Sequence, residues 1–104
     1  MTLSELEATL KLVTSETYER EAPPGITRAI VWHRYNIERL DGDDRLLLGV
    51  DRVQLDLFWQ HRNDTLLNDL IAVLSYWRLP FTVEDLTWDD ERQLYRGIVQ
   101  LTVV

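Results

Sequence analysis

The residue types able to carry chemistry are few in this chain. His33 and His61 are its two histidines, each beside an arginine and near a tryptophan. Neither lies in a spacing such as His-Glu-x-x-His, and the absence of cysteine removes any mixed zinc site, disulfide or thiolate nucleophile. Both read as solvated histidines at strand ends. Asp41, Asp43 and Asp44 form an acidic cluster, but no twelve-residue calcium loop with a closing glutamate surrounds them, and an Asp41-Gly42 hairpin turn accounts for it. Asp89-Asp90-Glu91, with Glu84 and Asp85 nearby, could supply a general acid and base. Between two strands it reads as a turn. Gly25, Gly42, Gly49 and Gly97 are too scattered to cradle a phosphate, and no serine sits in a nucleophile-elbow context. The reading is therefore non-enzymatic, with no catalytic residue, cofactor or metal.

Composition narrows the classes further. The chain has 104 residues, 45% of them hydrophobic and 28% charged, which suits one folded domain over residues 1–104. Its formal charge of −7 opposes specific nucleic-acid binding. No apolar run approaches a membrane span, and the acidic Met1–Glu7 segment is unlike a signal peptide, so the expectation is no membrane and a cytoplasmic setting. Lys11 is the single lysine; every other cation is arginine. Arginine pairs carboxylates bidentately, stacks on rings and is enriched at interfaces where lysine is depleted, and four tryptophans point the same way.

The elements that would hold these side chains follow from periodicity. Thr2 or Ser4, each three residues before a glutamate, offers a capping box, and Leu3, Leu6, Leu10 and Val13 give a helix over about 3–14. Thr17-Tyr18-Glu19 carries a weak extended signal, and Pro23-Pro24-Gly25 is a stop. Ile26 to Leu40, rich in β-branched and aromatic residues, reads as a long strand turning at Asp41–Asp44 into a return strand from Arg45 to Trp59. Within the return strand Val53, Leu55, Leu57 and Trp59 alternate with Arg52, Gln54 and Asp56. Leu46, Leu48 and Val50 have the opposite parity, which places a bulge at Gly49-Val50-Asp51 or a tip covered on both sides. Asn63 or Asp64 caps a second helix with an apolar stripe of Leu66, Leu67, Leu70, Ile71, Leu74 and Trp77, ended by Pro80. A short strand opens at Phe81-Thr82-Val83, Trp88-Asp89-Asp90 turns, and Tyr95, Gly97, Val99, Leu101 and Val103 alternate along the last strand. The predicted fold is α+β in the order α-β-β-α-β-β. Its antiparallel or mixed sheet of about four strands has both helices packed on one face.

With no catalytic constellation, surfaces remain. The polar face of the return strand and that of the last (Arg92, Arg96, Gln100) would lie away from the helices. The oligomer-interface candidates are Leu46, Leu47 and Leu48 at the hairpin tip, together with Trp32, Arg52, Trp88, Tyr95 and Arg96.

Taken together, Pro23-Pro24 before Ile30-Val31-Trp32, the Asp-rich hairpin leading into Asp51-Arg52-Val53-Gln54-Leu55-Asp56-Leu57-Phe58, the Arg78-Leu79-Pro80-Phe81 helix exit and the closing Glu91–Val99 segment resemble the tail-terminator and tail-completion (head–tail joining) proteins of long-tailed phages. The resemblance covers roughly residues 20–104 and lies in the order and length of elements. It implies a non-enzymatic virion protein assembled in the host cytoplasm. Such a protein self-associates into a ring, commonly six copies, at the head-proximal end of the tail. There it ends tail-tube growth and meets tail-tube and head-connector proteins. An acidic lumen would let DNA slide without sticking. The tryptophan content and the lack of a clear strand before Pro23 depart from the pattern, and leave open a head–tail joining role. No site residue carries over from the family. The alternative is a small cytoplasmic α+β module that binds a ligand, in a pocket between sheet and helices, or regulates a partner.

Overall fold

The computed structural model describes residues 1–35 and 51–103. The hairpin tip, with Leu46, Leu47, Leu48 and the Asp41–Asp44 turn, lies outside the described residues, as do Gly49 and Val50 of the expected bulge. Asp51 is already in register, opposite Val103.

Helix α1 spans Leu3–Val13. Of the two possible capping boxes Thr2 makes the one that forms: the Glu5 N–H donates to Thr2 Oγ1 at 3.1 Å, and the Thr2 N–H donates to Glu5 Oε1 at 3.0 Å. These hydrogen bonds to Thr2 hold the Glu5 carboxyl below its ordinary value. The helix stops where Thr14 turns extended. Thr14 Oγ1 accepts from the Glu16 N–H, and Thr17 Oγ1 donates to the Thr14 carbonyl at 2.8 Å, so the two buried threonines satisfy each other's neighbourhood. That local turn launches strand β1, Thr17–Glu19.

The remaining elements are β2 (Ala29–Arg34), β3 (Asp51–Trp59), α2 (Leu66–Tyr76), β4 (Phe81–Asp89) and β5 (Leu94–Val103). They form a five-stranded mixed sheet in the order β1-β2-β3-β5-β4, with β1 parallel to β2 and every other pair antiparallel. The α+β class and the helices on one face match the sequence reading, while the described residues form five strands, because Thr17–Glu19 pairs fully with Ile30–Trp32. Ile26–Arg28 does not join β2, as the long-strand reading had it. A parallel β1 obliges the chain to travel back before β2 can start, and residues 20–28 make that return.

The helix side of the sheet is the core. Val53, Leu55, Leu57, Ile30, Val99 and Leu101 meet Leu6 and Leu10 of α1 and Leu66, Leu70 and Leu74 of α2, nearly all fully buried. Each such side chain contributes about 1.5–3 kcal/mol of transfer free energy, an upper bound set by an extended unfolded chain. Helix α2 starts one residue later than a cap at Asp64 predicts and two later than one at Asn63. Thr65 is the capping residue, and Asp64 Oδ1 accepts the Leu66 N–H at 2.9 Å from outside it. Its end is set by backbone rather than by Pro80: Leu79 N–H donates to the Leu74 carbonyl and Arg78 N–H to that of Ser75, both at 3.0 Å, with Arg78 left-handed at φ 56°. This is a Schellman closure carried by a non-glycine residue. Trp77, expected on the buried stripe, is exposed there.

Strand β4 differs most from expectation. It runs nine residues, through Trp88 and Asp89 where the turn was expected, and absorbs a bulge between Val83 and Asp85. The turn moves to residues 90–93, where Asp89 Oδ1 accepts from the Glu91 and Arg92 amides and Gln93 takes φ 56°.

Candidate interaction site

Strand β4 is an edge strand at the margin of the helix layer: α2 packs over β3 and α1 over β1, and Phe81 at the start of β4 packs against the core. Its register places Phe81, Val83, Leu86 and Trp88 on the helix side, opposite Leu101, Val99, Gly97 and Tyr95. In the core these would be covered. Instead Val83 is 37%, Leu86 56% and Trp88 42% exposed, and every residue from Thr82 to Trp88 is exposed. Trp88 meets Tyr95 edge-on at 4.6 Å between centroids, and Tyr95 stacks on Trp59 at 6.0 Å. The Trp88 indole N–H donates to Asp90 Oδ1 at 2.7 Å, which holds the ring in place. The bare strip is thus an ordered apolar surface with Glu84 beside it at the bulge, while Asp85, opposite Ile98, lies on the other face.

The opposite face of the sheet carries a groove of about 760 Å³. One wall is the return segment through Arg20, Pro23 and Pro24; the other is Arg92 beside the β4–β5 turn; the floor is Val31, Phe58 and Leu94. Val31 is only 6% exposed although neither described helix covers that face; the return segment lines the groove beside it. Phe58 lies between two guanidinium groups, those of Arg92 and Arg96, each 5.9 Å from its ring centroid. Asp56 accepts from Gln54 Nε2 at 2.9 Å and from Arg96 Nη2 at a long 3.4 Å, while Arg96 Nε is buried with no hydrogen-bond partner among the described residues. Arg92 pairs loosely with Asp89 at 3.7 Å, and Arg20 has no ion pair among the described residues. Beside β1, Tyr18 Oη donates to the Glu16 carboxylate, a bond that raises the Tyr18 hydroxyl above its ordinary value. A second hollow, about 280 Å³, lies by Arg52 and Gln100, where Tyr35 Oη donates to Gln100 Oε1 at 2.9 Å.

These positions divide the predicted interface residues. Trp88 and Tyr95 come together on the bare strip. Arg96 lines the groove on the other face, and Arg52 lies on that face at the far end of β3. Trp32 is a core residue, 4% exposed beneath the helices, and not an interface residue; its parity with Leu55 puts it inside. Phe58, Arg20, Val83 and Leu86 were missed. Phe58 had a visible signal, being the one aromatic among the polar positions Arg52, Gln54 and Asp56 of its strand.

His33 is half-buried on the open face against Tyr35, 6.4 Å between ring centroids, and His61 is exposed in the β3–α2 loop. Among the described residues no group of three histidine, aspartate or glutamate side chains converges as a metal site. Among them, too, no helix is long and apolar enough to cross a membrane. Compared with protein-family models, curated proteins and solved structures, the chain matches none.

Proposed function

We propose that this protein is a self-associating structural subunit of the phage tail-terminator or head–tail joining kind, building a ring at the head-proximal end of a tail. The observation that carries self-association is strand β4: nine residues at a sheet edge, with Val83, Leu86 and Trp88 bare on the side where a helix layer would be expected. Such a strand alone in water is an aggregation liability, which a defined neighbour removes. The arginine-for-lysine balance and the tryptophans support the same reading. The phage assignment rests on the order of elements, α-β-β-α-β-β with a short extra strand. The test is solution mass by light scattering across protein concentration and salt, with and without tail-tube and connector proteins. A closed oligomer or partner-dependent assembly is expected. A strict monomer that binds neither partner overturns the proposal.

A ligand-binding module is the second reading, favoured by the groove at Phe58. The groove lies on the open face; the layer between sheet and helices, where such a pocket was expected, is filled by fully buried leucines and valines. A thermal-shift screen of small metabolites tests this reading, which requires a ligand-dependent rise in melting temperature.

A further inference from the structure

We infer that the groove on the open face of one copy receives the bare β4 strip of the next. This rests on the self-association reading and assigns it a specific pair of surfaces. Three observations select a second copy as the occupant. First, the surfaces are chemically complementary. The strip presents Leu86 and Trp88 with Glu84 beside them at the bulge, and the groove presents an apolar floor at Phe58, Val31 and Leu94 with Arg20 and Arg92 on its walls, next to Glu21 and Asp89. Arg20 lacks an ion pair among the described residues and Arg92 holds Asp89 only at 3.7 Å, so both guanidinium groups have donors to spare.

Second, the simpler edge-to-edge pairings are opposed by charge. Two β4 strands paired antiparallel would bring Glu84 and Asp85 of one copy against the same residues of the other. Pairing β4 with the β1 edge would set those carboxylates near Glu16 and Glu19. Like charges directly across a strand pair are destabilising. Third, the strip and the groove lie on opposite faces of the sheet. A copy docked on one leaves the other free, so the contact is heterologous, and repetition closes a ring or extends a filament.

The two halves can be inactivated separately. Leu86→Asp spoils the strip, and the double reversal Arg20→Glu with Arg92→Glu spoils the groove; all three positions are exposed, and a preserved melting temperature certifies each fold. In native mass spectrometry and analytical ultracentrifugation the wild type is expected as an oligomer. Each variant should weaken association at least about tenfold. An equimolar mixture of the two variants should give a dimer and nothing larger, because one intact strip then meets one intact groove. If the wild type associates and the groove variant associates equally well, this docking is wrong while self-association stands. The same holds if the mixture stays monomeric. A metabolite whose thermal shift disappears in the groove variant, with assembly unchanged, assigns the groove to a ligand and overturns the inference. A wild type that remains monomeric, alone and with tail-tube and connector proteins, overturns both this docking and the function it rests on.

Discussion

The Cα of Gly97 lies beneath the indole of Trp59: a Cβ at that position would stand 3.3 Å from Trp59 Cη2 and 3.2 Å from Leu86 Cδ2. Gly97 sits in mid-strand, where glycine normally weakens a sheet, and its missing side chain is the space that the ring of Trp59 fills. The two contacts differ in stiffness, since Trp59 is held by its stack on Tyr95 whereas Leu86 is exposed and can swing away. Gly97→Val is expected to lose about 1–3 kcal/mol by overpacking, and Gly97→Ala clearly less. Urea unfolding followed by tryptophan fluorescence measures both.

Arg78 occupies the left-handed position of the α2 Schellman closure at φ 56° and makes no ion pair among the described residues. Glycine adopts that conformation without the steric penalty of a Cβ, although it also enlarges the unfolded ensemble. Arg78→Gly is expected to stabilise by about 0.5–1 kcal/mol and Arg78→Ala not to stabilise. Thermal melts of the two variants side by side check the sign.

Much of this architecture was legible because one side of the sheet is dry: the alternation from Val53 to Trp59 and from Gly97 to Val103 maps residue for residue onto the buried face. Strand β1 was only faintly visible, since three residues carry no periodicity and their pairing is a long-range property. In β4, Phe81 and Val83 are odd, while Leu86 and Trp88 are even. That parity slip is the same signal that marks Gly49-Val50-Asp51, and here it coincides with an observed bulge between Val83 and Asp85. Taken seriously, it would have made one long strand of 81–89. The bareness of that strand was not legible. Val83, Leu86 and Trp88 look like core residues in sequence, and only the width of the helix layer leaves them uncovered.

Asp64 ties the return segment before β2 to the start of α2. It accepts from Arg28 Nε at 2.9 Å and from the Leu66 N–H at 2.9 Å. The Arg28 hydrogen bond, ahead of the backbone one, holds its carboxyl below the usual range against the opposing effect of burial. A lowered folded value contributes stability that is present above the unfolded value, about 3.9, and is lost as pH falls through the folded one. Asp64→Asn keeps an oxygen for Leu66 but removes the charge. It should lose about 1 kcal/mol near neutral pH, discounted because Arg28 is partly solvated. The stabilities of the two proteins should converge in strongly acid solution, as a melting series from pH 7 downward would show.

Leu86→Glu separates a core role from an interface role for the bare strip. In a packed interior, an unpaired carboxylate costs several kcal/mol after relaxation. Leu86 is exposed in the isolated chain, and the space it occupies over Gly97 is open to water. The substitution is therefore expected to change unfolding free energy by less than about 0.5 kcal/mol, as surface changes do. At the same time it should raise solubility and lower the mass seen by light scattering. The informative comparison is Leu57→Glu, two strands over and facing the same side but fully buried beneath α2, which should prevent folding. If Leu86→Glu unfolded the chain to the same degree, the strip would belong to the core after all, and its availability to a neighbour would be lost as an explanation for β4.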